Sequence, residues 1–424
     1  MKKALLYPLA AAAALLLALL LVAWPREQFV AATSPQAFAI TPDNIARGAY
    51  LARAGDCMAC HTERGGVAYA GGRALDTPFG RVYAPNITPD PDTGIGQWNA
   101  DDFWRALHNG KSRDGRLLYP AFPYPNYTRV TREDADALFA YLRSLPAHRQ
   151  QNRPHALRFP YNQQVMLAGW RLLYFKPGVH APDTRRDAAW NRGAYLVEGL
   201  GHCSACHSSR NGLGATEGQL AGGTIPMLGW YAPPLTSGAP AGLDDWEKAH
   251  LVQLLKTGVS PRAAVFGPMA EVVSRSLQHL SDDDVAAMAD YLKSLPAAPA
   301  ARRPAPLDDN TKQVAERGHK LYRQHCADCH GDDGKGAAPS YPPLAGNRAL
   351  AMDSPVNAIR MVLNGGFPPG TQGNPRPYGM PPYRHLMNDD EVAAVVTYLR
   401  TSWGHQAGAV SATQVNRYRD VPEG

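Results

Sequence analysis

Apolar residues recur with a helical period near the end of each third of the chain. A residue able to cap a helix is followed three positions later by an acid, and apolar residues follow seven, ten and eleven positions after it. That spacing places the apolar residues on one helical face, and the cap with its acid resembles a capping box. The three caps are Thr131, Ser281 and Asn388. The pattern predicts a mainly α-helical chain built from three similar units.

Each unit also begins alike, with a short helix that carries an Arg-Gly pair. The pairs are Arg47-Gly48, Arg192-Gly193 and Arg317-Gly318. The first helix has a start signature in Thr41, Pro42 and Asp43, which supply a cap, a proline at the first helical position and an acid in the first turn. These repeated ends predict domains at residues 40–146, 187–296 and 313–404.

The segments between and after these domains are interpreted as connections. Residues 147–186 and 297–312 are rich in proline, arginine and polar residues and are predicted to be linkers, and residues 405–424 a C-terminal tail. The first linker contains an apolar stretch, residues 170–175, that is too short to cross a membrane. Packing between domains is one interpretation of this stretch, and contact with a partner subunit or a bilayer surface is the alternative.

All six cysteines occur in three C-x-x-C-H motifs. The motif residues are Cys57, Cys60 and His61, then Cys203, Cys206 and His207, then Cys326, Cys329 and His330. This motif attaches c-type haem, because two thiols form thioethers with one haem and the adjacent histidine lies under the iron as its proximal ligand. A zinc site would take four ligands, and a thioredoxin-like pair would lie in a βαβ pattern. The three motifs predict three covalently bound haems c.

The layout resembles small class I cytochrome c domains, whose first and last helices cross beside the haem. In such domains a methionine before the last helix is the sixth iron ligand and raises the haem potential. Met269 and Met380 occupy this place in the second and third units, with Met227 and Met387 as alternatives.

The first unit departs from that pattern, because Phe122 stands where the methionine is expected and the first methionine after His61 is Met166. His108 could be the sixth ligand, although a histidine near a helix end is also interpretable as an exposed side chain. Met166 from the linker, or an open or water-bound iron, are the other options. Two histidine ligands would lower the potential of this haem, whereas an open iron could bind small molecules.

The N-terminus predicts export of the chain. Lys2 and Lys3 precede an uncharged run from Ala4 to Pro25, which at about 1.5 Å per residue could cross a bilayer core. We interpret residues 1–26 as a membrane anchor, with a cleaved signal peptide as the alternative. Either places the haem domains on the periplasmic side of a bacterial cytoplasmic membrane. The net charge of +6 over 424 residues, without a Lys/Arg run, argues against a nucleic-acid partner.

Over about residues 40–420 the chain resembles the triheme cytochrome c subunits of bacterial membrane-bound dehydrogenases. The most specific stretches are residues 85–90, 94–96, 118–121, 264–270, 342–347 and 402–404. The resemblance implies an electron-transfer subunit that does not itself oxidise substrate. Its haems would pass electrons from a catalytic subunit to ubiquinone, or onward to a downstream cytochrome or terminal oxidase. It also implies that carbonyls around Pro85, Pro233 and Pro342 accept hydrogen bonds from the proximal histidines.

The family has catalytic partners of three types, and the sequence leaves the choice open. They are quinoprotein alcohol dehydrogenases, flavin dehydrogenases of sugars and sugar acids, and molybdenum hydroxylases of aldehydes or N-heterocycles. Phe122 and residues 210–215 look more like the cytochromes of the molybdenum group. No flavin-binding, P-loop or hydrolytic motif occurs. The alternative functions are a haem enzyme that reduces peroxide or another small molecule at an open first haem, and a cytochrome subunit of a terminal oxidase.

Overall fold

The computed structural model describes residues 39–238, 241–297 and 307–421, and these residues form mainly helices with little sheet, as predicted. They divide into two compact units. The first unit contains the described residues up to Ala49 and His61–His180, and the second contains Tyr50–Cys60 and the residues from Ala181 onward. The predicted anchor at residues 1–26 lies outside the described residues. Within the described ranges, no helix combines the length and apolar character needed to cross a membrane.

Seventeen helices are found in the described residues. Those before residue 200 are α1 (Pro42–Ala54), α2 (Cys57–Cys60), α3 (Ala100–Asn109), α4 (Tyr124–Tyr127), α5 (Arg132–Ser144), α6 (Gln164–Tyr174) and α7 (Ala188–Tyr195), which continues as a π-helical turn at Leu196–Leu200. Those after it are α8 (Ser204–His207), α9 (Lys248–Thr257), α10 (Pro268–Arg275), α11 (Asp282–Lys293), α12 (Asp309–His325), α13 (Ala327–His330), α14 (Arg348–Ala351), α15 (Val356–Asn364), α16 (Asp389–Thr401) and α17 (Ala412–Arg419). A 3-10 turn at Leu277–His279 precedes α11.

The strands are short and pair antiparallel. The first unit holds a three-stranded sheet, β1 (Ala74–Thr77), β2 (Gly80–Tyr83) and β3 (Ala156–Leu157), in that order. The second unit holds three hairpins, β4 (Ser209–Arg210) with β5 (Thr216–Glu217), β6 (Gly223–Ile225) with β7 (Trp230–Ala232), and β8 (Val259–Ser260) with β9 (Ala263–Ala264).

The three predicted helix caps are confirmed. The side chains of Thr131, Ser281 and Asn388 each accept a hydrogen bond from the backbone N–H three residues later, at 3.2, 3.1 and 2.9 Å. At Asn388 the pairing is reciprocal, because Glu391 also accepts from the Asn388 backbone N–H. These bonds satisfy backbone donors that a helix start leaves unpaired. The last helix of each of the three sequence repeats therefore begins where the sequence places it.

The glycine of each Arg-Gly pair lies where the first helix of a sequence repeat crosses the last helix of the same repeat. A Cβ atom built on these glycines would lie within 2.0 Å of a backbone carbonyl oxygen of the other helix. The glycines and their opposing residues are Gly48 with Ala137, Gly193 with Ala287, and Gly318 with Ala394. The repeated Arg-Gly pair therefore reflects a close helix crossing, which only a residue without a side chain permits.

Two segments that the sequence presents as connections contain regular structure. Residues 147–186 contain β3, which pairs with β2, and the eleven-residue helix α6. Residues 405–424 contain α17, which packs on α16. Composition suggested irregular chain here, but tertiary partners supply the contacts that proline-rich segments lack locally. Packing between domains was one interpretation of residues 170–175. In the structure, however, Leu172 and Leu173 of this stretch are 56% and 67% exposed.

Candidate haem sites

Each C-x-x-C-H motif lies in or beside a short helical turn, at α2, α8 and α13. Two residues three apart on a helical turn share a face, so both thiols of a motif can reach one ring. None of the six cysteines is paired in a disulfide. The motifs are therefore arranged as three separate pairs, each with its own histidine.

The three motif histidines share one hydrogen bond. In each, Nδ1 lies within hydrogen-bonding distance of a proline carbonyl oxygen. The pairs are His61 with Pro85 at 2.8 Å, His207 with Pro233 at 2.7 Å, and His330 with Pro342 at 3.0 Å. Because a carbonyl only accepts, Nδ1 donates and the Nε2 lone pair is available to a metal. The three hydrogen bonds expected from the resemblance are thus present.

Burial favours the neutral form of these side chains. It lowers the pKa of His61 and His330, and it brings the pKa of His207 to about 4, where the nearby positive charge of Arg348 adds to the effect. Burial also raises the pKa of the Cys57 thiol to about 12. A neutral imidazole is the form that binds iron, so the histidines are in the protonation state that a haem requires.

Buried donors around the second motif also fit a haem. The indole Nε1 of Trp230, the hydroxyl of Thr236 and Nε of Arg348 are buried and have no hydrogen-bond partner in the described part of the chain. In the sequence, Trp230 and Thr236 lie three residues before and three residues after Pro233, whose carbonyl oxygen accepts a hydrogen bond from His207. Buried polar groups are normally paired, and the propionates of a haem carry the carboxylate acceptors that these donors lack.

Two arginines of the predicted third domain contact the segment around Pro233, whose carbonyl bonds to His207. Arg348, at the start of α14, donates to the carbonyl oxygen of Pro234, and burial lowers its pKa to about 10. Arg360, in α15, is fully buried, and its guanidinium carbon lies 4.7 Å from the centre of the Trp230 ring. Sequence reasoning missed both residues, because the contacts join positions more than a hundred residues apart and have no local pattern.

Replacing Arg348 with methionine is expected to lower the midpoint potential of the haem at the second motif. A unit positive charge within about 15 Å favours the reduced iron by about 1 kcal/mol or more at a protein dielectric near 20, which corresponds to roughly 50 mV. A redox titration of the Soret band would measure the shift.

The matched control for this substitution is Arg262→Met combined with Asp245→Asn. The Arg262 guanidinium also lies over the Trp246 ring, as that of Arg348 does, but it pairs with the Asp245 carboxylate, so removing both charges together leaves the net charge unchanged and should leave the potential unchanged. Equal titration curves for Arg348→Met and the unaltered protein would contradict the assigned role.

Met269 is the second residue of α10, and Gly267, two positions before it, lies beside the strand that leads to Pro233. The positive φ of 57° and the missing side chain of Gly267 let the Trp230 ring approach closely. Strand β7, which begins at Trp230, ends one residue before Pro233. The alternative Met227 is 57% exposed. This placement supports Met269 as the predicted sixth ligand of the second haem.

Met380 occupies a fixed loop of the third repeat. Its backbone exchanges two hydrogen bonds with Gly366, at 2.8 and 3.0 Å. The Met380 side chain is partly buried against the same hydrophobic cluster that Cys326 contacts. The alternative Met387 is 3% exposed and belongs to the interior of that cluster, which is the environment of a packing residue. The contacts support Met380 as the predicted ligand.

His108 is buried, and the interpretation of an exposed histidine at a helix end is wrong. Its side chain is 8% exposed, stacks parallel to Trp104 with ring centres 4.6 Å apart, and places Nδ1 2.9 Å from the Thr128 carbonyl oxygen. Packing between α3 and the segment after α4 covers it. Met166 is 40% exposed, and Phe122 packs on Tyr127 at 5.3 Å between ring centres. His108 therefore shows the hydrogen bond shared by the motif histidines.

Comparison with protein families gives one repeated match. The model described as "Cytochrome c" matches residues 45–146, 191–296 and 315–403. The three matched segments each contain one C-x-x-C-H motif and end at or shortly after a capped last helix. Together they cover well over half of the chain.

Several curated proteins are similar over most of this chain. The alcohol dehydrogenase (quinone) cytochrome c subunit of Gluconobacter oxydans is 38% identical over 88% of this chain and 82% of its own length. The gluconate 2-dehydrogenase cytochrome c subunit of Pantoea cypripedii is 41% identical over 88% of this chain and 89% of its own length. One subunit of the nicotinate dehydrogenase of Pseudomonas putida is 42% identical over 88% of this chain, which spans 32% of that longer protein.

Proposed function

Because the chain belongs to the cytochrome c family, and within it to the cytochrome c subunits of dehydrogenases, we propose that it is the electron-transfer subunit of such a complex. Electrons come from a catalytic subunit that oxidises an alcohol, an aldehyde, a sugar acid or an N-heterocycle. They leave to ubiquinone or to a downstream cytochrome. The three histidine–carbonyl pairs carry this proposal, because they present three imidazole Nε2 atoms for iron next to three pairs of thiols.

The residues divide the work of each site in the same way. A bound haem c supplies reversible one-electron chemistry at its iron. The paired cysteines fix the ring covalently, and the proline carbonyl holds the proximal imidazole in one tautomer and orientation. Met269 and Met380 would supply sulfur to the second and third irons and keep water from them, in what we propose are three class I domains with one haem each.

The proposed location is the periplasmic face of a bacterial cytoplasmic membrane. The uncharged run from Ala4 to Pro25, preceded by two lysines, supports an anchor there. Thioether attachment of haem outside the cytoplasm agrees with this location. Relatives named as subunits of alcohol and gluconate dehydrogenases support a catalytic partner on the same side.

A haem count tests the proposal. The matured full-length protein is expected to give three haem equivalents per chain in a pyridine haemochrome assay. Replacing Cys203 and Cys206 together with serine should reduce the count to two, because no thioether can form at the second motif. Ser204→Ala, which changes a residue between the same two cysteines, should keep all three. A count below three for the unaltered protein would contradict the proposal.

Carbon monoxide distinguishes a carrier from a haem enzyme. If the protein is a carrier, its reduced form is expected to show an unchanged spectrum under carbon monoxide, because a carrier with three six-coordinate irons offers no open position. A Soret shift equivalent to one haem would instead place an open iron at the first motif and favour small-molecule reduction.

Purification tests the catalytic partner. The tagged chain, purified from its own membranes, should yield a flavin-, molybdenum- or quinone-containing protein together with it.

A further inference from the structure

Exposed apolar side chains are concentrated in one short segment of the first unit. Of the fourteen large hydrophobic side chains that are exposed in the described part of the chain, seven lie within residues 159–179. They are Phe159, Val165, Met166, Leu172, Leu173, Tyr174 and Val179. Single exposed hydrophobic residues are ordinary, but a contiguous group marks a surface that binds something.

Helix α6 within this segment has the reverse of the usual distribution of side chains, because its charged residue is buried and its leucines are exposed. Its one charged residue, Arg171, is 7% exposed, donates to the Asn109 carbonyl oxygen at 2.5 Å and has its guanidinium 4.6 Å from the Phe175 ring. Leu172 and Leu173, which follow it, are more than half exposed. In a surface helix the charge is expected outside and the leucines inside. Here the fold holds the charge within and presents the leucines outward.

The outward residues form one face, which we call the α6 face: Val165, Met166, Gly169, Leu172 and Leu173. They are spaced three, four and seven positions apart and so share a side of the helix. A Cβ atom added to Gly169 would have no heavy atom within 4 Å, which shows that this side of the helix is open. The face carries no charge and no oxygen or nitrogen in any side chain.

We infer that the α6 face lies on the outer surface of the phospholipid bilayer, as an interfacial helix beside the proposed anchor. This inference rests on the proposed membrane attachment of the chain. An eleven-residue helix is about 16 Å long, too short to cross a bilayer but long enough to lie along its surface. Trp170 and Tyr174 on the same helix, with the exposed Arg158 and Lys176 near its two ends, are typical of helices at a lipid interface.

The position of the uncharged N-terminal run supports lipid as the occupant. The unit that contains the α6 face also contains the first described residues of the chain, up to Ala49. Residues 26–38 join the run to the first described residue, and thirteen residues reach at most about 45 Å. A chain anchored through residues 4–25 therefore keeps this unit close to the membrane surface.

The chemistry of the face favours lipid over a protein partner. Protein interfaces carry about one hydrogen bond per 100–200 Å² of buried area. The side chains of the α6 face offer no group that could form one, whereas acyl chains need none. The alternative is that the catalytic subunit, and not lipid, covers the α6 face. The experiment must distinguish these two cases.

Spin-label accessibility tests the inference on the full-length, matured protein. The substitution Leu173→Cys gives a single reactive thiol, since the six native cysteines are used in thioethers, and a nitroxide is attached there. The protein is reconstituted in vesicles of three parts phosphatidylethanolamine to one part phosphatidylglycerol. Collision rates are then measured with oxygen, which dissolves in lipid, and with a nickel chelate, which stays in water.

The label at position 173 is expected to be at least about three-fold less accessible to the nickel chelate, relative to oxygen, than a label at Leu213→Cys. Leu213 is a matched control, because it is 43% exposed and lies in the second unit. Equal ratios at the two positions, in protein that floats with the vesicles and contains three haems, would overturn the α6 assignment and leave the proposed function intact. Protein that contains three haems but does not float would overturn the anchor and, with it, the assignment.

The same vesicles, prepared with and without the catalytic subunit, provide the second measurement. If lipid covers the α6 face, the label at position 173 should be shielded from the nickel chelate to the same extent in both preparations, because the bilayer is present in each. Shielding that appears only when the catalytic subunit is present would place a protein on the face and overturn the inference.

Discussion

Replacement of Met380 by leucine is expected to lower the midpoint potential of the haem at Cys326 and Cys329 by on the order of 100 mV or more. Axial ligands set haem potentials over a range of about 0.8 V, and a thioether favours the reduced iron. Leucine has a similar volume but no ligand atom, so the iron loses sulfur without a large change in packing. The weak sulfur–iron absorption band in the red should lose the contribution of this haem as the potential falls, and should keep that of the haem for which Met269 is the predicted ligand.

The neighbouring methionine is the control. Met387 lies in the interior of the hydrophobic cluster of the third repeat and is 3% exposed. Met387→Leu is therefore expected to cost less than about 1.5 kcal/mol of stability and to leave the potential and the red band unchanged. If Met387→Leu weakened the band and Met380→Leu left it unchanged, the ligand assignment would be reversed.

The second repeat gives an independent check of the same rule. Met269→Leu should produce a comparable fall in the potential of the haem at Cys203 and Cys206, whereas the exposed Met227 should tolerate leucine without effect. Arg348→Met acts on this same haem through charge. Comparison of the two single variants, Met269→Leu and Arg348→Met, therefore separates the effect of the sulfur ligand on the potential from the effect of the nearby charge. Only loss of the sulfur ligand should remove the contribution of this haem to the red band.

Gly318→Ala is expected to destabilise the third repeat by more than about 3 kcal/mol, the upper range for overpacking. The new Cβ would lie 2.0 Å from the Ala394 carbonyl oxygen and 2.6 Å from its carbon. These are backbone atoms of a buried helix and cannot rotate away, so α12 and α16 must separate. Separation exposes part of the cluster that contains Tyr322 and Val395, both fully buried. Urea unfolding followed by circular dichroism would measure the loss.

The same substitution at Gly169 is the matched control. Gly169 is also within a helix, but no heavy atom lies within 4 Å of the position of its Cβ. Alanine there should be neutral or should stabilise the protein by up to about 1 kcal/mol, the difference in helix propensity. Equal urea midpoints for Gly318→Ala and Gly169→Ala would show that the helix crossing can relax. Gly48 and Gly193, at the equivalent crossings, should respond as Gly318 does.

Local pattern was sufficient for several features of the fold. The caps at Thr131, Ser281 and Asn388 were predictable because a side-chain oxygen and a backbone N–H three residues apart meet wherever a helix starts. The three Arg-Gly pairs indicated a repeated helix, although the sequence did not show that each glycine faces a carbonyl. The histidine–proline hydrogen bonds were expected through the family resemblance, and the structure places all three within 3.0 Å.

Features that depend on distant residues were not predictable in this way. His108 has the sequence context of an exposed residue, yet packing against Trp104 and the Thr128 carbonyl buries it. The segment 147–186 has the composition of a linker, yet β3 completes a sheet with β2. Helix α6 presents its leucines outward because Arg171 finds its partners at Asn109 and Phe175. In each case a contact between separate segments decides which side of an element is covered.

The amino-acid sequence alone indicated what we propose is attached to this protein and where, because three thiol pairs, each with a histidine one residue on, define three points of covalent chemistry through bonded geometry. It also determined where the capped helices begin, because capping is complete within four residues. Tertiary structure alone decided which buried charges stand near those points, as Arg348 shows by reaching Pro234 from 114 positions along the chain. The physical reason is that spacing along a chain fixes only short-range contacts, whereas burial and electrostatic environment depend on the packing of segments that are distant in sequence.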